Sequence, residues 1–263
     1  MKEIKNWQYK NFIIHHFDEV KSTNDLAISF VKNRNIFANE IILANQQTNG
    51  RGRYDRHWIS EAGNLYFSLV LDGKIANKNL GLNQISTLSL VANIALNLTI
   101  KTISQTQNIT SQNIALNIAN KWPNDLLIEN NKVAGILLEN IIINNNCEFI
   151  ILGIGVNIKN NPQNTSFPAT NLQQLKIAID AKSLLENFLD NFNNFFEIWQ
   201  NFGFKNLRDL WLRDAYNLHK EIVVGDLESR VSGIFEDLDE FGNLILKTPQ
   251  KTIKIFAGDV LNP

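Results

Sequence analysis

The sequence predicts an α+β fold: a mixed, mainly antiparallel sheet backed by helices, followed by a small β-barrel-like unit. Three observations lead there. Strand-like and helix-like segments are interleaved over the first hundred residues. Three β-rich runs then follow one another, "DLLIE", "KVAGILLENIII" and "CEFIILGIGVNI", separated by "NN" and "NNN". Asparagine clusters between apolar runs are turn signals, so these runs form hairpins. Last, the tail breaks into short strands at close spacing around the tight turn "DEFGN".

Taken in order, "NFIIHHF" (11–17) is a strand and "STNDLAISFVKNR" (22–34) a helix. Ser22 or Thr23 caps that helix, and Leu26, Ile28, Phe30 and Val31 supply its apolar side. "NEIILANQQ" (39–47) and "GNLYFSLVL" (63–71) are strands, and "NQISTLSLVANIALNLTIKTI" (83–103) is a long, largely buried helix. After the hairpins come a loop (159–170) and helical patterns at 181–201 and 205–214. The tail strands lie in "KEIVVG", "SRVSGIFEDL", "NLILKT" and "KTIKIFAGDV". The change of character divides the chain into 1–215 and 216–263.

Composition narrows the class. A chain of 263 residues with 44% hydrophobic side chains buries a core without covalent staples. Cys147 is the single cysteine, which excludes an internal disulfide and fits a reducing compartment. The first residues lack an apolar run of signal-peptide length, and no later stretch reads as long enough to span a bilayer, so the cytoplasm is expected. The 25 basic residues nearly balance the 26 acidic ones, which argues against a general nucleic-acid binder. His15 and His16 face opposite sides of one strand and cannot share a metal, and no Cys/His cluster has zinc spacing. No protein-held metal is expected. The aromatic residues at 195–211 have helical spacing and read as core.

Four stretches carry possible chemistry. "TNGRGRYDRHW" (48–58) sets Arg51, Arg53 and Arg56 among Gly50 and Gly52. Glycines let a ligand approach the chain, and guanidinium groups match carboxylate and phosphate. A solvated basic loop paired to Asp55 and Glu61 is the competing reading. No Gly-Lys-Ser/Thr follows, so it is not a Walker loop. "KWPNDLLI" (121–128) puts Asn124 and Asp125 after Pro123, as a site or as a plain turn. "NKVAGILLE" (131–139) starts a strand at Lys132 with Gly135 three residues on; an edge lysine guarding a hairpin is the alternative. "GIGVNI" (153–158) has two glycines within a strand, from a bulge or from close packing, with Asn157 at its end.

In order along the chain, "STN", "QTNGRGRYDRHW", "KWPND", "KVAGIL" and "GIGVN" resemble the biotin protein ligases. Each piece is short; the ordered set is specific and spans Ser22 to Asn157. The tail, with Gly233, Gly242 and "FAGDV", resembles the small C-terminal SH3-like domain of that family. The resemblance implies a class II synthetase-like core. It also implies the reaction: biotin and ATP give biotinyl-5′-AMP and pyrophosphate, and a lysine of a biotin carboxyl carrier protein of acetyl-CoA carboxylase then displaces AMP.

By the same resemblance, Ser22, Thr23, Asn24 and Gln47 would hold the biotin rings. Arg51, Gly52 and Arg53 would close over the biotin tail and adenylate, with Gly135 clearing the sheet beneath. Lys132 would sit between biotin's carboxyl oxygen and the α-phosphate. Arg53, Arg56, Trp58, Asn124 and Asn157 would hold the nucleotide. Lys132, Arg53 and Asp125 would be catalytic, Asp125 orienting or deprotonating the incoming amine, whose free pKa is about 10.4. Mg²⁺ would accompany ATP on its phosphates.

Two departures matter. The family's loop reads Gly-Arg-Gly-Arg-Arg-Gly-Arg, whereas Tyr54 and Asp55 occupy its fifth and sixth places here. One positive charge is lost and one negative gained, which bears on loop order and adenylate retention rather than on reaction type. Some relatives carry an N-terminal DNA-binding domain; residues 1–21 before "STN" are too few for one, so a monofunctional enzyme without DNA binding is expected, as monomer or weak homodimer. The rivals are a lipoate- or octanoate-attaching enzyme, which shares the core fold, and a non-catalytic biotin or nucleotide binder, whose signature would be loss of Lys132 or the loop arginines.

Overall fold

The computed structural model describes residues 3–74, 81–111, 114–143, 146–163, 165, 167–225 and 230–261. Its strands are β1 (Glu3–Tyr9), β2 (Phe12–Val20), β3 (Glu40–Gln47), β4 (Leu65–Asp72), the short pair β5 (Thr110–Ser111) and β6 (Ile114–Ala115), β7 (Ile118–Lys121), β8 (Asp125–Ile128), β9 (Asn131–Ile143) and β10 (Asn146–Val156). One eight-stranded sheet runs in the order β1-β2-β3-β4-β10-β9-β8-β7. Only β2 and β3 lie parallel within it, because helix α1 (Thr23–Lys32) crosses over between them. The hairpin β9–β10 forms as expected, although Asn144 and Asn145 of its "NNN" turn lie outside the described residues.

Helices cover both faces of the sheet. On β3, Ile41 and Leu43 join the cluster under helices α2 (Leu88–Thr106) and α3 (Ala181–Phe202), while Ile42 and Ala44 join the one under α1. This two-sided burial is why β4 reads as a continuous apolar run. Its one polar interruption, Ser68, is buried beside Thr23 and Asn24 of α1. Ser22 caps α1 by accepting from Asp25 N, and Leu26, Ala27 and Val31 are buried; Ile28 and Phe30 are only half-buried.

The helix expected at 83–103 begins with a tighter 3₁₀ stretch, Leu82–Thr87, before α2. The segment Asn83–Thr106 is long and apolar enough to cross a membrane, which corrects the expectation that no stretch is. Its apolar surface is spent on the core instead: 72% of the most apolar window is buried. On α3, Phe188, Phe192, Phe196 and Trp199 stack ring on ring at helical spacing. Trp199, Phe204 and Trp211 are buried as expected of core residues, whereas Phe202 is exposed. The pattern at 205–214 resolves into a 3₁₀ turn, Phe204–Asn206, and the short helix α4 (Arg208–Arg213).

The tail forms a second, five-stranded antiparallel sheet of β11 (Glu221–Gly225), β12 (Arg230–Leu238), β13 (Leu244–Lys247), β14 (Thr252–Ile255) and β15 (Asp259–Val260), ordered β14-β13-β12-β11-β15. It is packed onto the first. Phe235 meets Trp211, Trp122 Nε1 donates to the Gly242 carbonyl at 3.0 Å, and Arg208 reaches Asp237 and the Leu238 carbonyl. This docking sets β15 beside the loop that follows β3.

Candidate active site

The arginine loop is a small hairpin. Trp58 N donates to Gly50 O at 2.9 Å, Arg51 and His57 pair as an antiparallel bridge, and Gly52 N donates to Arg56 O at 2.6 Å. Its tip is Tyr54 and Asp55, both left-handed at φ 53° and 56°, the backbone of a type I′ turn. The arginines are not paired to Asp55 or Glu61. Arg51 Nη2 meets Glu139 at 2.6 Å and Asp25 at 2.9 Å. Arg53 and Arg56 share Asp259 of β15, at 3.0 Å and 2.7 Å.

Trp58 leaves the hairpin and lays its indole on the sheet over Gly135 and Gly155, which are register partners on β9 and β10. A β-carbon at Gly135 would stand 2.8 Å from the ring, and one at Gly155 2.6 Å. The two glycines therefore clear a seat for Trp58; close packing, not a bulge, accounts for "GIGVN", since the β10 register runs unbroken from Phe149 to Val156. Asn24 is seated against Gly153 in the same way.

Lys132 is no edge lysine: β9 lies between β8 and β10. Its Nζ is 2.7 Å from Asp125 Oδ1 and stands over the Trp58 ring. Asp125 is not at a turn tip either but opens β8, buried, with Lys121 Nζ 3.6 Å from Oδ2. Burial pushes the Asp125 carboxyl up, and Lys132 and Lys121 more than offset this, holding it below the usual carboxylate range. Burial pushes the Lys121 ammonium down, against the attraction of Asp125.

At the opposite end, a neutral network is already assembled. Thr23 N and Oγ1 donate to Gln47 Oε1 at 2.8 and 3.2 Å, and Gln47 Nε2 donates to Ser60 Oγ at 2.8 Å. Ser68 Oγ is within hydrogen-bond reach of both Thr23 Oγ1 and Asn24 Oδ1. Asn24 Nδ2 donates to Glu139 at 2.7 Å, so this network runs on to Arg51.

These parts surround one cavity of about 430 Å³. Ser22, Thr23, Asn24, Gln47, Arg51, Gly52, Arg53, Arg56, Trp58, Asn124, Asp125, Lys132, Gly135 and Asn157 all line it. The motif residues, far apart in sequence, thus converge on one place. Buried Arg51 Nε, Trp58 Nε1 and Asn157 Oδ1 have no hydrogen-bond partner from the protein there, and Asp125 Oδ1 has only its ion pair with Lys132, which suits a polar ligand. Among the described residues, the lining carries Arg51, Arg53, Arg56, Lys121, Lys132 and Arg230 against Asp125 and Asp259, a net positive field. Sequence inspection alone passed over Lys121, Glu139, Ser68 and Asp259. The first two lie inside quoted motifs and Asp259 inside "FAGDV"; Ser68 carries no local signal.

A cavity that joins a neutral hydrogen-bonding part to a cationic part is that of a domain suited to bringing two ligands together, one of them anionic. The chain belongs to the biotin/lipoate A/B protein ligase family, which its residues 16–157 match. Residues 219–261 match the biotin protein ligase C-terminal domain. It is 33% identical to the biotin–[acetyl-CoA-carboxylase] ligase of Paracoccus denitrificans, over 83% of this chain and 88% of that protein. It is 29% identical to the bifunctional ligase/repressor BirA of Bacillus subtilis, over 94% of this chain and 73% of that protein. Among solved structures, the biotin protein ligase of Aquifex aeolicus in complex with biotin and ATP is 25% identical and superposes with a TM-score of 0.73, covering 96% of this chain and 98% of that one.

Proposed function

We propose that this protein is an ATP-dependent biotin ligase. It joins biotin to a lysine of a biotin carboxyl carrier protein of acetyl-CoA carboxylase through biotinyl-5′-AMP, releasing pyrophosphate and then AMP. The single observation that carries this is the cavity itself, with a neutral end at Thr23, Asn24 and Gln47 and a cationic end at Lys132 and the arginine hairpin. A carboxylate attacking a polyphosphate faces like-charge repulsion. Cations fixed in a shielded pocket offset it and stabilise charge developing at phosphorus. Mg²⁺ enters with ATP as part of that substrate.

The roles follow the chemistry of the lining. Ser22, Thr23, Asn24 and Gln47 bind the biotin ring system. Arg51, Gly52 and Arg53 cover its tail and the adenylate, and Gly135 gives room beneath. Lys132 bridges biotin's carboxyl oxygen and the α-phosphate. Arg53, Arg56, Trp58, Asn124 and Asn157 hold the nucleotide, and Asp125 receives the carrier amine. The named relatives and the C-terminal match support biotin over lipoate. Biotin-dependent exchange of labelled pyrophosphate into ATP tests the first step. Exchange supported by lipoate and not by biotin would overturn the proposal, and no exchange with either would leave only a binding protein.

A further inference from the structure

Lys121 closes β7 and is the register partner of Asp125 across the intervening turn. Its side chain is 5% exposed. It has two partners: Asp125 Oδ2 at 3.6 Å and the face of Phe167, 4.6 Å from the ring centre. Asp125 therefore has a cation on each oxygen, Lys132 on Oδ1 and Lys121 on Oδ2. One buried carboxylate needs one counter-charge. Two are present, and the ligase roles above use only Lys132.

The two lysines differ in exposure. Both line the cavity, but the Lys132 side chain is 26% exposed and that of Lys121 only 5%. A carboxylate and a phosphate arriving in the cavity compete with Asp125 for the more exposed lysine. A buried carboxylate stripped of its cations takes up a proton. It could then no longer accept one from an amine.

We propose that Lys121 is a positioning residue for the amide-forming step: it keeps Asp125 ionised and oriented once Lys132 has turned to the adenylate, a role that rests on the ligase reading above. In that step the carrier lysine attacks as the free amine. The N–C bond forms, and the C–O bond to AMP breaks with its electron pair leaving on the phosphate oxygen. The proton released from nitrogen goes to Asp125. The other charged groups acting on this pair are Arg56, which faces Asp125, and Asp259, which faces Lys121. Burial lowers the Lys121 ammonium, yet Asp125 opposes that fall, as expected of a cation kept for one anion.

The test is single-turnover transfer from purified biotinyl-5′-AMP to a carrier domain, measured against pH. Lys121→Met is expected to slow transfer by about tenfold or more. It is also expected to move the acid limb of the profile upward by about one pH unit, because Asp125 loses a cation. Lys121→Arg should return the limb towards the wild-type position. In an Asp125→Asn background, Lys121→Met should cost less than about twofold, since Lys121 acts through Asp125. Should the Met variant fail to fold, Lys121→Gln takes its place in the same cycle. An unmoved limb, or a full further loss in the Asp125→Asn background, overturns the proposal. A wild-type protein without biotin-dependent pyrophosphate exchange overturns the ligase reading instead, so the two failures are told apart.

Discussion

Arg53 of the hairpin is held by Asp259 near the far end of the chain: its Nη1 donates to Oδ1 at 3.0 Å and to the Gly258 carbonyl at 3.1 Å. Arg56 takes the other carboxylate oxygen at 2.7 Å. One anion of the C-terminal sheet thus balances two arginines that the proposed reaction directs to phosphate. Asp259→Asn removes that charge and should release the hairpin. Limited trypsin digestion is expected to cut after Arg51, Arg53 or Arg56 several-fold faster in the variant, with biotin and ATP restoring protection. Equal cleavage rates would mean that the hairpin's own backbone bonds hold it.

Lys132→Ala should strike adenylation harder than binding. The lysine sits over Trp58 and against Asp125, at the cationic end of the cavity. Single-turnover formation of the adenylate is expected to fall about a hundredfold. Biotin affinity, which the proposed roles assign to Thr23, Asn24 and Gln47, should change by less than about tenfold. An unchanged adenylation rate would place the attacking carboxylate elsewhere.

Why some of this was legible in the sequence and some not is a matter of distance. The hairpins at 125–156 announce themselves because turn residues and apolar runs are neighbours, and Lys132 and Gly135 share one strand with a fixed face relationship. The motifs of the cavity are short and local, so each can be seen, and only their order gives them meaning. Partnerships across the chain leave no such trace. Glu139 meets Asn24 across 115 residues, and Asp259 meets Arg56 across 203. Ser68 looks like a stray polar residue in a buried strand until α1 lies on that face. The membrane-length helix misleads for a related reason: local hydropathy cannot distinguish lipid from the sheet and α3 that cover α2.

Tyr66 makes stability sensitive to alkali. Its hydroxyl donates to the Glu61 carbonyl at 3.0 Å and accepts from Asn64 at 2.9 Å. Burial pushes its pKa up from 10.0 to about 12, against the Asn64 hydrogen bond. Between these values the unfolded chain has lost the proton and the folded one keeps it. Folded protein then binds more protons, so stability falls as pH rises through that window and levels off above it. The loss should approach about 2 kcal/mol after allowing for solvent screening. Urea midpoints at roughly pH 9 and pH 11 check this, with Tyr66→Phe expected to flatten the difference.

Gly155→Ala should disturb the site through Trp58. The added carbon would stand 2.6 Å from the indole nitrogen, so the ring must leave its seat. Trp58 also anchors the base of the hairpin through Gly50. The apparent KM for ATP is expected to rise about tenfold, the effect of a little over 1 kcal/mol of overpacking. Added to Trp58→Ala, the same change should cost nothing more, because the ring it strikes is gone. An additive loss would mean that the glycine serves the ligand directly.

Tyr54 and Asp55 turn out to be more than a lost arginine. The type I′ turn needs both residues left-handed, where glycine is at ease and a tyrosine is not. What offsets the strain is the Tyr54 ring, which lies under the Arg53 guanidinium at 4.9 Å and the Arg56 guanidinium at 5.7 Å. Arg53 Nη2 also donates to the Tyr54 hydroxyl at 3.1 Å. The ring gathers the two remaining arginines where another charge would have pushed them apart. Tyr54→Ala should therefore let preformed adenylate escape faster, by about fivefold for two exposed cation–π contacts. Asp55→Gly eases the backbone by about 1 kcal/mol and removes a negative charge from the tip of the arginine hairpin, so escape should slow. Stopped-flow release of biotinyl-5′-AMP measures both. Opposite signs are expected; a change of the same sign in both variants would mean that the turn governs retention only by being disturbed.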